Sequence, residues 1–202
     1  MVPARCLTII VALSPLRPKS QIQTDFRATL GLDSGSSLPV FVRLIPGSYG
    51  VEVHRFLGTK HLAPALYGYS KVDGVPIAYI MEYLDPSEWS TLHELIHFGD
   101  ALPSDARLRE SLRSVVGALE SRSYVHGDLR PNNFMVGIDE AMDEIEFKVI
   151  DFDWAGETGE VYYPAERNPS IEGIEWPGKA GGIISLGDDE KLVKSWLDLN
   201  SE

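Results

Sequence analysis

Three oxygen-bearing side chains, those of Asp128, Asn133 and Asp151, have the types and the spacing of a site that handles phosphate. Asp128 and Asn133 share one polar loop, and Asp151 follows a hydrophobic run that we expect to pair with the strand after Asn133. That hairpin would return Asp151 to a position beside Asn133. Carboxylate and amide oxygens are ligands of Mg²⁺, and a carboxylate can orient an attacking hydroxyl. The pattern therefore predicts phosphoryl transfer, with Asp128 orienting the hydroxyl.

The same stretches resemble the catalytic loop and the metal motif of the protein-kinase-like superfamily, which read His-Arg-Asp-Leu-x-x-x-x-Asn and Asp-Phe-Gly. Here the loop is His126-Gly127-Asp128-Leu129-Arg130-Pro131-Asn132-Asn133 and the metal motif is Asp151-Phe152-Asp153. A glycine after the histidine and an acid in place of the motif glycine are shared with aminoglycoside and choline phosphotransferases. The loop as a whole is similar to that of short fungal protein-kinase-like proteins.

This resemblance implies ATP as the phosphate donor and Mg²⁺ as the metal cofactor. It implies that Asp128 accepts the proton of the hydroxyl and that Arg130 neutralises the γ-phosphate. Asn133 and Asp151 would hold the metal ion. Asp153 would either support that ion or bind a second one. The acceptor would be a hydroxyl group on a protein or on a small molecule.

Four further residues are implied to bind the nucleotide. The strand predicted at Pro39 to Ile45 places Arg43 where the family has a lysine that reaches the inner phosphates, and Glu52 on the following helix is its predicted partner. Met81-Glu82-Tyr83-Leu84 resembles the hinge that receives adenine through backbone groups, so Glu82 and Leu84 are assigned to the cofactor.

Two departures from the family leave a second reading open. No Gly-x-Gly-x-x-Gly hairpin precedes Arg43, and the run around Gly35 fits an ordinary turn. Arginine is longer and forked, so it does not replace lysine at a fitted phosphate site without consequence. A pseudokinase, which keeps the fold as a binding or scaffold module, is therefore the alternative to an active phosphotransferase.

A competing motif occurs at His93-Glu94-Leu95-Ile96-His97, which matches the His-Glu-x-x-His pattern of zinc proteases. In such enzymes the two histidines bind zinc and the glutamate is the general base. The extended pattern with a third histidine is absent, because Asp100 and Pro103 interrupt it. A short amphipathic helix explains the same stretch, and zinc proteolysis is kept as a minor alternative.

Composition excludes some classes of partner. The chain has 202 residues, 44% of them hydrophobic, and a net charge of −12. Residues 1 to 137 hold 13 acids and 13 bases, whereas residues 138 to 202 hold 17 acids and 5 bases. Because nucleic acids and anionic membranes require basic surface, neither is an expected partner.

The amino-terminal part of the chain predicts a location in the cytoplasm. Cys6 is the only cysteine, which excludes an internal disulfide and fits a reducing compartment. The apolar run Leu7 to Leu13 is short and β-branched, which favours a strand over a signal peptide. No stretch reaches the roughly 18 apolar residues of a membrane-spanning helix.

The remaining elements follow from hydrophobic periodicity. Strands are predicted at Leu66 to Tyr69 and Pro76 to Leu84, and residues 14 to 38 are interpreted as loops. A helix is predicted to begin near Ser48, which we expect to be its N-cap. Two amphipathic helices follow. The first is capped at Ser104 or Asp105, and its predicted buried face consists of Leu108, Leu112, Val115, Val116 and Leu119. The second begins near Asp188, and its predicted buried face consists of Leu192, Val193, Trp196 and Leu197.

The predicted fold class is α+β, with a two-lobed protein-kinase-like architecture abbreviated in both lobes. Residues 1–84 would form a small β-rich N-lobe on the nucleotide side. Residues 85–202 would form a reduced helical C-lobe with the catalytic and metal loops, and the site would lie in the cleft between the lobes. The stretch 165–187, rich in Gly and Pro, is predicted to be extended.

Overall fold

The computed structural model describes residues 9–15, 24–70, 72–98, 105–139, 144–166 and 174–199. Cys6 and the alternative N-cap Ser104 lie outside the described residues. The helices and strands, in chain order, are β1 (Ile9–Pro15), β2 (Asp25–Gly31), β3 (Ser37–Ile45), α1 (Val51–Gly58), β4 (Leu66–Ser70), β5 (Ile77–Glu82), β6 (Trp89–Thr91), α2 (Leu92–Phe98), α3 (Asp105–Glu120), β7 (Tyr124–Val125), a 3-10 turn (Pro131–Asn133), β8 (Phe134–Asp139), β9 (Glu144–Val149), β10 (Gly156–Glu157) and α4 (Asp188–Leu199). The described fold is therefore α+β, as predicted.

The chain divides into two compact units, each built from two segments. Unit 1 comprises Met1–Gly47 and Ala65–Leu84, and unit 2 comprises Ser48–Pro64 and Asp85–Glu202. The segment that contains α1 was assigned to the first domain from sequence, but it groups with unit 2. Its buried side chains Val53 and Leu57 explain this, because they share a hydrophobic cluster with α3 and α4.

Unit 1 is an antiparallel sheet of five strands in the order β1-β2-β3-β5-β4. Because side chains alternate along a strand, the sheet has two chemically different faces. One face carries a buried apolar cluster, which consists of Ala28, Leu30, Val40, Val42 and Ile80. Arg43 follows Val42 and therefore lies on the opposite face, in register with Asp25 on β2 and Tyr79 on β5.

Strand β2 corrects the interpretation of residues 14 to 38 as loops. Phe26, Ala28 and Leu30 alternate with polar or charged residues, and this period of two places them on the apolar face of the sheet. The turn that follows is formed by Gly35, with φ +80° and an N–H that donates to Leu32 O at 2.9 Å. The interpretation of Gly35 as part of an ordinary turn is thus confirmed.

Unit 2 has one large hydrophobic core. The predicted apolar face of α3 and three of the four predicted apolar residues of α4, Val193, Trp196 and Leu197, are buried in it, together with Phe134, Val136 and Val149 from the hairpin β8–β9. The hairpin itself was predicted; its register pairs Phe134 with Val149 and Ile138 with Ile145, and β6 extends it to three strands.

The beginning of α1 differs from its prediction. Ser48 is not the N-cap, because the helix starts at Val51 and Gly50 occupies the cap position. The Ser48 hydroxyl donates instead to Asp153 O at 3.3 Å, and Gly50 N–H donates to Phe152 O at 2.9 Å. A Cβ on Gly50 would lie 2.6 Å from Ala155 Cβ, so only glycine permits this close approach to the metal motif.

Within the described ranges, no helix combines the length and the apolar composition needed to cross a bilayer.

Candidate active site

The second residue of the loop His126–Asn133 is one that only glycine suits. Gly127 has φ +79°, in the left-handed region that L residues with side chains seldom adopt. A Cβ at this position would also lie 2.6 Å from Ile184 Cδ1. This explains why the loop has glycine where protein kinases have arginine.

A buried carboxylate from α4 holds the backbone of the loop. The N–H groups of His126 and Gly127 donate to the two oxygens of Asp189, at 2.6 and 2.8 Å. Burial raises the pKa of Asp189 to about 6, and the two donated hydrogen bonds act against that rise. Trp196 on the same helix donates from Nε1 to Leu129 O at 2.9 Å, so α4 bonds the loop at its first two residues and again at Leu129.

Two side chains of the same loop, those of Arg130 and Asn133, donate hydrogen bonds to Asp128. Arg130 donates from Nε to Oδ1 at 2.5 Å and from an Nη to Oδ2 at 2.8 Å, which makes a two-point ion pair. Burial raises the pKa of Asp128 and the negative charge of Asp151 adds to the rise, while Arg130 opposes it. A carboxylate with a raised pKa is better suited to accept a proton than an ordinary surface aspartate.

Asn133 links the loop to the metal motif. Its Nδ2 donates to Asp128 O at 2.8 Å and to Asp128 Oδ2 at 2.9 Å, which identifies Oδ1 as the acceptor end of the amide. Its backbone O accepts the N–H of Ile150 at 3.0 Å, immediately before Asp151. The hairpin therefore brings Asn133, Asp128 and Asp151 together, as the sequence predicted.

The metal motif has an unusual backbone conformation at Asp151. Its φ is +70°, one of only three positive values at described residues other than glycine. Phe152, which follows, is 1% exposed and fixes the motif in the core of unit 2. The donor types of Asn133, Asp151 and Asp153 are those that Mg²⁺ prefers, and the orientation of the Asn133 amide fits a cation ligand through Oδ1.

His126 supports the loop as a neutral ring. It is fully buried, its Nε2 lies 3.2 Å from Ile150 O, and its Nδ1 accepts the N–H of Asp128 at 3.3 Å. These partners require the proton on Nε2. Burial lowers the pKa of His126 to about 3, which keeps the ring uncharged.

A second buried histidine, His54 on α1, completes an aromatic stack with Phe152. The two rings are parallel within 5°, with centroids 4.4 Å apart, and His126 also packs edge-on against Phe152, with ring centroids 5.0 Å apart. Tyr49 Oη lies 2.6 Å from His54 Nδ1, and His54 Nε2 lies 2.8 Å from Pro64 O. Burial lowers the pKa of His54 to about 4.

Arg43, predicted to reach the inner phosphates, and Glu52, its predicted partner, each have a neighbour within their own unit. Arg43 Nε lies 3.9 Å from Asp25 Oδ1 in unit 1. In unit 2, Arg55 donates to Glu52 Oε1 at 3.2 Å, one turn along α1. The ion pair between Arg43 and Glu52 stays a prediction.

Glu82 has a structural role at the end of β5. Its Oε2 accepts the N–H of Ala65 at 3.0 Å, and its own N–H donates to Ala65 O at 2.9 Å. These bonds join the end of β5 to the segment before β4. The use of backbone groups at Glu82 and Leu84 to bind adenine stays a prediction.

The zinc-protease motif lies inside the short helix α2, and a capping box closes the start of that helix. Thr91 and Glu94 make a capping box: Glu94 Oε2 accepts the N–H and Oγ1–H of Thr91, and the N–H of Glu94 donates to Thr91 Oγ1. The rings of His93 and His97 lie 4.1 Å apart. No group of three or more His, Cys, Asp or Glu side chains in the described ranges is arranged to hold a metal ion.

Three residues near the site were not predicted from sequence. His54 was missed because only apolar positions were counted on the face of α1, and Asp189 because acids in a first helical turn are common. Trp176 lies in the stretch predicted only to be extended, and its ring centroid is 5.3 Å from Arg130 Cζ.

Comparison with known proteins supports the fold alone. No protein-family profile matches the sequence, and no curated protein matches it. Among solved structures, the kinase PK-1 of Cydia pomonella granulovirus is similar, with a TM-score of 0.51 and 14% identity over 73% of this chain and 55% of the viral chain. The chain thus spans about half the length of that kinase. The predicted kinase-like fold is confirmed at this level, and the roles of the site residues stay predictions.

Proposed function

We propose that the chain is an ATP-dependent phosphotransferase of the kinase-like type, which transfers the γ-phosphate to a hydroxyl acceptor. The observation that carries the proposal is the buried Asp128, shared by Arg130 and Asn133 and close enough to Asp151 for its charge to raise the Asp128 pKa. The candidate base Asp128, the cation Arg130 and the candidate metal ligands Asn133 and Asp151 therefore lie together. The viral kinase with a similar fold adds support.

Each residue has a task that its surroundings favour. Asp128 orients the hydroxyl and accepts its proton, which the raised pKa assists. Arg130 keeps further N–H donors beyond the two that reach Asp128, and these face the charge that develops on the phosphate. Asn133 and Asp151 hold Mg²⁺, with Asp153 as a second acid.

Mg²⁺ with ATP, when bound, supplies the phosphoryl group and neutralises its charge. Arg43, Glu82 and Leu84 of unit 1 are assigned to binding the nucleotide. Glu52 is assigned as the ion-pair partner of Arg43. The acceptor belongs to one of two classes, a protein side chain or a small molecule, as in the two branches of the superfamily that the motifs resemble.

A binding module without turnover is the second candidate. It is favoured by Arg43, which stands at the lysine position and lies beside Asp25 of its own sheet. A misplacement of about 1 Å at such a contact is enough to cost about a hundredfold in rate.

Transfer of radiolabel from γ-labelled ATP separates the candidates. We expect product with the wild type and a loss of at least about a thousandfold in Asp128→Asn, because the base is removed while its shape is kept. Binding of Mg·ATP without product in the wild type would support the binding module. Glu146→Gln, at an exposed acid on β9, is a matched control and should retain activity.

A further inference from the structure

Arg130 has a second contact besides Asp128. Its Cζ lies over the ring of Trp176, 5.3 Å from the centroid, within the range of a cation–π interaction. The Arg130 side chain is only 20% exposed and that of Asp128 only 7%, so water screens these contacts weakly. The guanidinium is therefore bound along its edge by a carboxylate and covered by an aromatic ring.

Trp176 is itself held by neighbouring rings. Its centroid is 5.6 Å from that of Trp154 and 6.3 Å from that of Tyr163, which is 2% exposed. A Cβ on Gly178 would lie 2.4 Å from the Tyr163 ring, so the close approach of this segment requires glycine. These rings pack against Val125, which directly precedes the catalytic loop.

The segment that carries Trp176 is also bonded along its backbone. Tyr163 N–H donates to Gly182 O at 2.8 Å, and Gly181 N–H donates to Tyr163 O at 3.1 Å. Ile184 then packs in the same cluster as Val125 and Tyr163. Trp176 is thus a fixed surface, whereas Arg130 is a long side chain with several rotamers to lose.

We propose that Trp176 is a positioning residue for Arg130. Its indole face holds the guanidinium against Asp128, so that the ion pair keeps its two-point geometry and the remaining N–H donors are ordered before a phosphate arrives. The inference rests on the proposed function for its effect on turnover, but its effect on Arg130 is measurable without any reaction.

The direct test is the exchange of the Arg130 Nε proton with solvent, measured by ¹H–¹⁵N NMR on the full chain. The resonance is identified by its loss in Arg130→Lys. In the wild type we expect a slowly exchanging proton, because Nε donates to Asp128 at 2.5 Å. Trp176→Leu, which keeps an apolar group without a ring face, should speed exchange by about tenfold. Trp176→Phe should restore protection to within about threefold of the wild type.

A matched control comes from a second tryptophan of unit 2. Trp89 lies 4.9 Å from Lys148 Nζ in a cation–π contact that does not involve the loop. Trp89→Leu should leave the Arg130 proton unchanged. If Trp176→Leu does not fold, as judged by circular dichroism, Trp176→Met makes the same comparison with more of the volume filled.

The outcomes distinguish the two proposals. Unchanged exchange in Trp176→Leu, or equal loss in Trp176→Leu and Trp176→Phe, overturns the positioning role. In phosphate transfer, we expect Trp176→Leu to lower kcat about tenfold with little change in KM for ATP, and Trp176→Phe to restore it. If the wild type transfers no phosphate, the proposed function fails while the exchange measurement still decides the role of Trp176.

Discussion

The neighbours of Asp128 determine both its hydrogen bonds and the direction in which its pKa shifts. Its two oxygens accept hydrogen bonds from Arg130 and Asn133, and its burial raises the pKa that those donors lower. Opposing effects of this kind are common where proton transfer is needed. Asp128 could be proposed as a site candidate from the sequence because Arg130 and Asn133, which share its loop, are only two and five residues away.

The buried His54 predicts a dependence of stability on pH. Its pKa falls from 6.5 to about 4 on folding, so the unfolded chain binds the proton more tightly. Stability contributed by neutral His54 is complete above pH 6.5 and is lost as the pH falls toward 4. Between pH 7.5 and 4.5 we expect this one group to lower the free energy of unfolding by about 2–3 kcal/mol.

His54→Phe tests this expectation by urea denaturation across that pH range. Phenylalanine keeps a ring against Phe152 but does not titrate, so the variant should lose stability less steeply on acidification, whatever its stability at neutral pH. His61→Asn removes an exposed histidine at a positive φ of 59°, which asparagine tolerates, and should keep the wild-type slope. If the free energy of unfolding of the wild type and of His54→Phe depends equally steeply on pH, His54 is not the source of that dependence.

The residues missed from sequence have partners far away along the chain. Asp189 contacts the loop more than sixty residues before it, and Trp176 contacts Arg130 across a stretch with no regular periodicity. A sequence pattern reports which face of a helix is apolar, but it does not report which distant backbone an acid will reach. Local constellations such as Asp128 and Asn133 are therefore predictable, and long-range anchors are not.

Helix α4 contributes to the site through its first turn. Asp189 accepts two buried N–H groups of the catalytic loop, and an asparagine could accept only one of them without opposing its own amide hydrogens. We expect Asp189→Asn to lower the free energy of unfolding by about 1–3 kcal/mol, because one buried N–H loses its partner. The amide protons of His126 and Gly127 should exchange faster, as measured by NMR.

Glu190→Gln is the control for that helix. Glu190 is the next residue along and pairs with Lys194 at 2.7 Å on the surface of α4. Because exposed ion pairs contribute little, its stability should change by less than about 0.5–1 kcal/mol. If the two variants behave alike, Asp189 is an ordinary acid of a first helical turn.

Strong periodicity explains which helices and strands could be predicted. The five apolar positions of α3 and the four of α4 are all buried, because a 3.6-residue repeat over several turns leaves one interpretation. Strand β2 was missed since its apolar residues include a small alanine and are followed closely by the turn-forming run Asp33 to Ser37. Ser48 was misassigned because a serine before a helix is a common N-cap, whereas here its hydroxyl donates a hydrogen bond to Asp153 O.

Ligand binding by the intact chain provides a test that needs no acceptor. At about 100 times its Kd, Mg·ATP should add about 2.7 kcal/mol and raise Tm by several degrees in a chain of this size. The shift should be lost in Asp151→Asn, which removes the charge of a predicted metal ligand. Differential scanning fluorimetry measures the Tm shift of the wild type and that of Asp151→Asn.

Zinc in place of Mg·ATP is the contrasting condition. The capping box of Thr91 and Glu94 leaves no prepared general base at His93 and His97, so we expect zinc to have little effect. Stabilisation by zinc that depends on both histidines, without any effect of ATP, would reverse the functional assignment in favour of the zinc motif.

The hydrophobic core of unit 2 also has a consequence for synthesis on the ribosome. It joins Val53 and Leu57 of α1 to Val193, Trp196 and Leu197 of α4, which are separated by well over a hundred residues. The nascent chain therefore cannot complete this core until α4 has left the exit tunnel, and contacts of such long sequence separation form slowly. Truncation before α4 would leave uncovered the apolar side of α3 that packs on α4, which makes aggregation or capture by chaperones the expected fate of an incomplete chain.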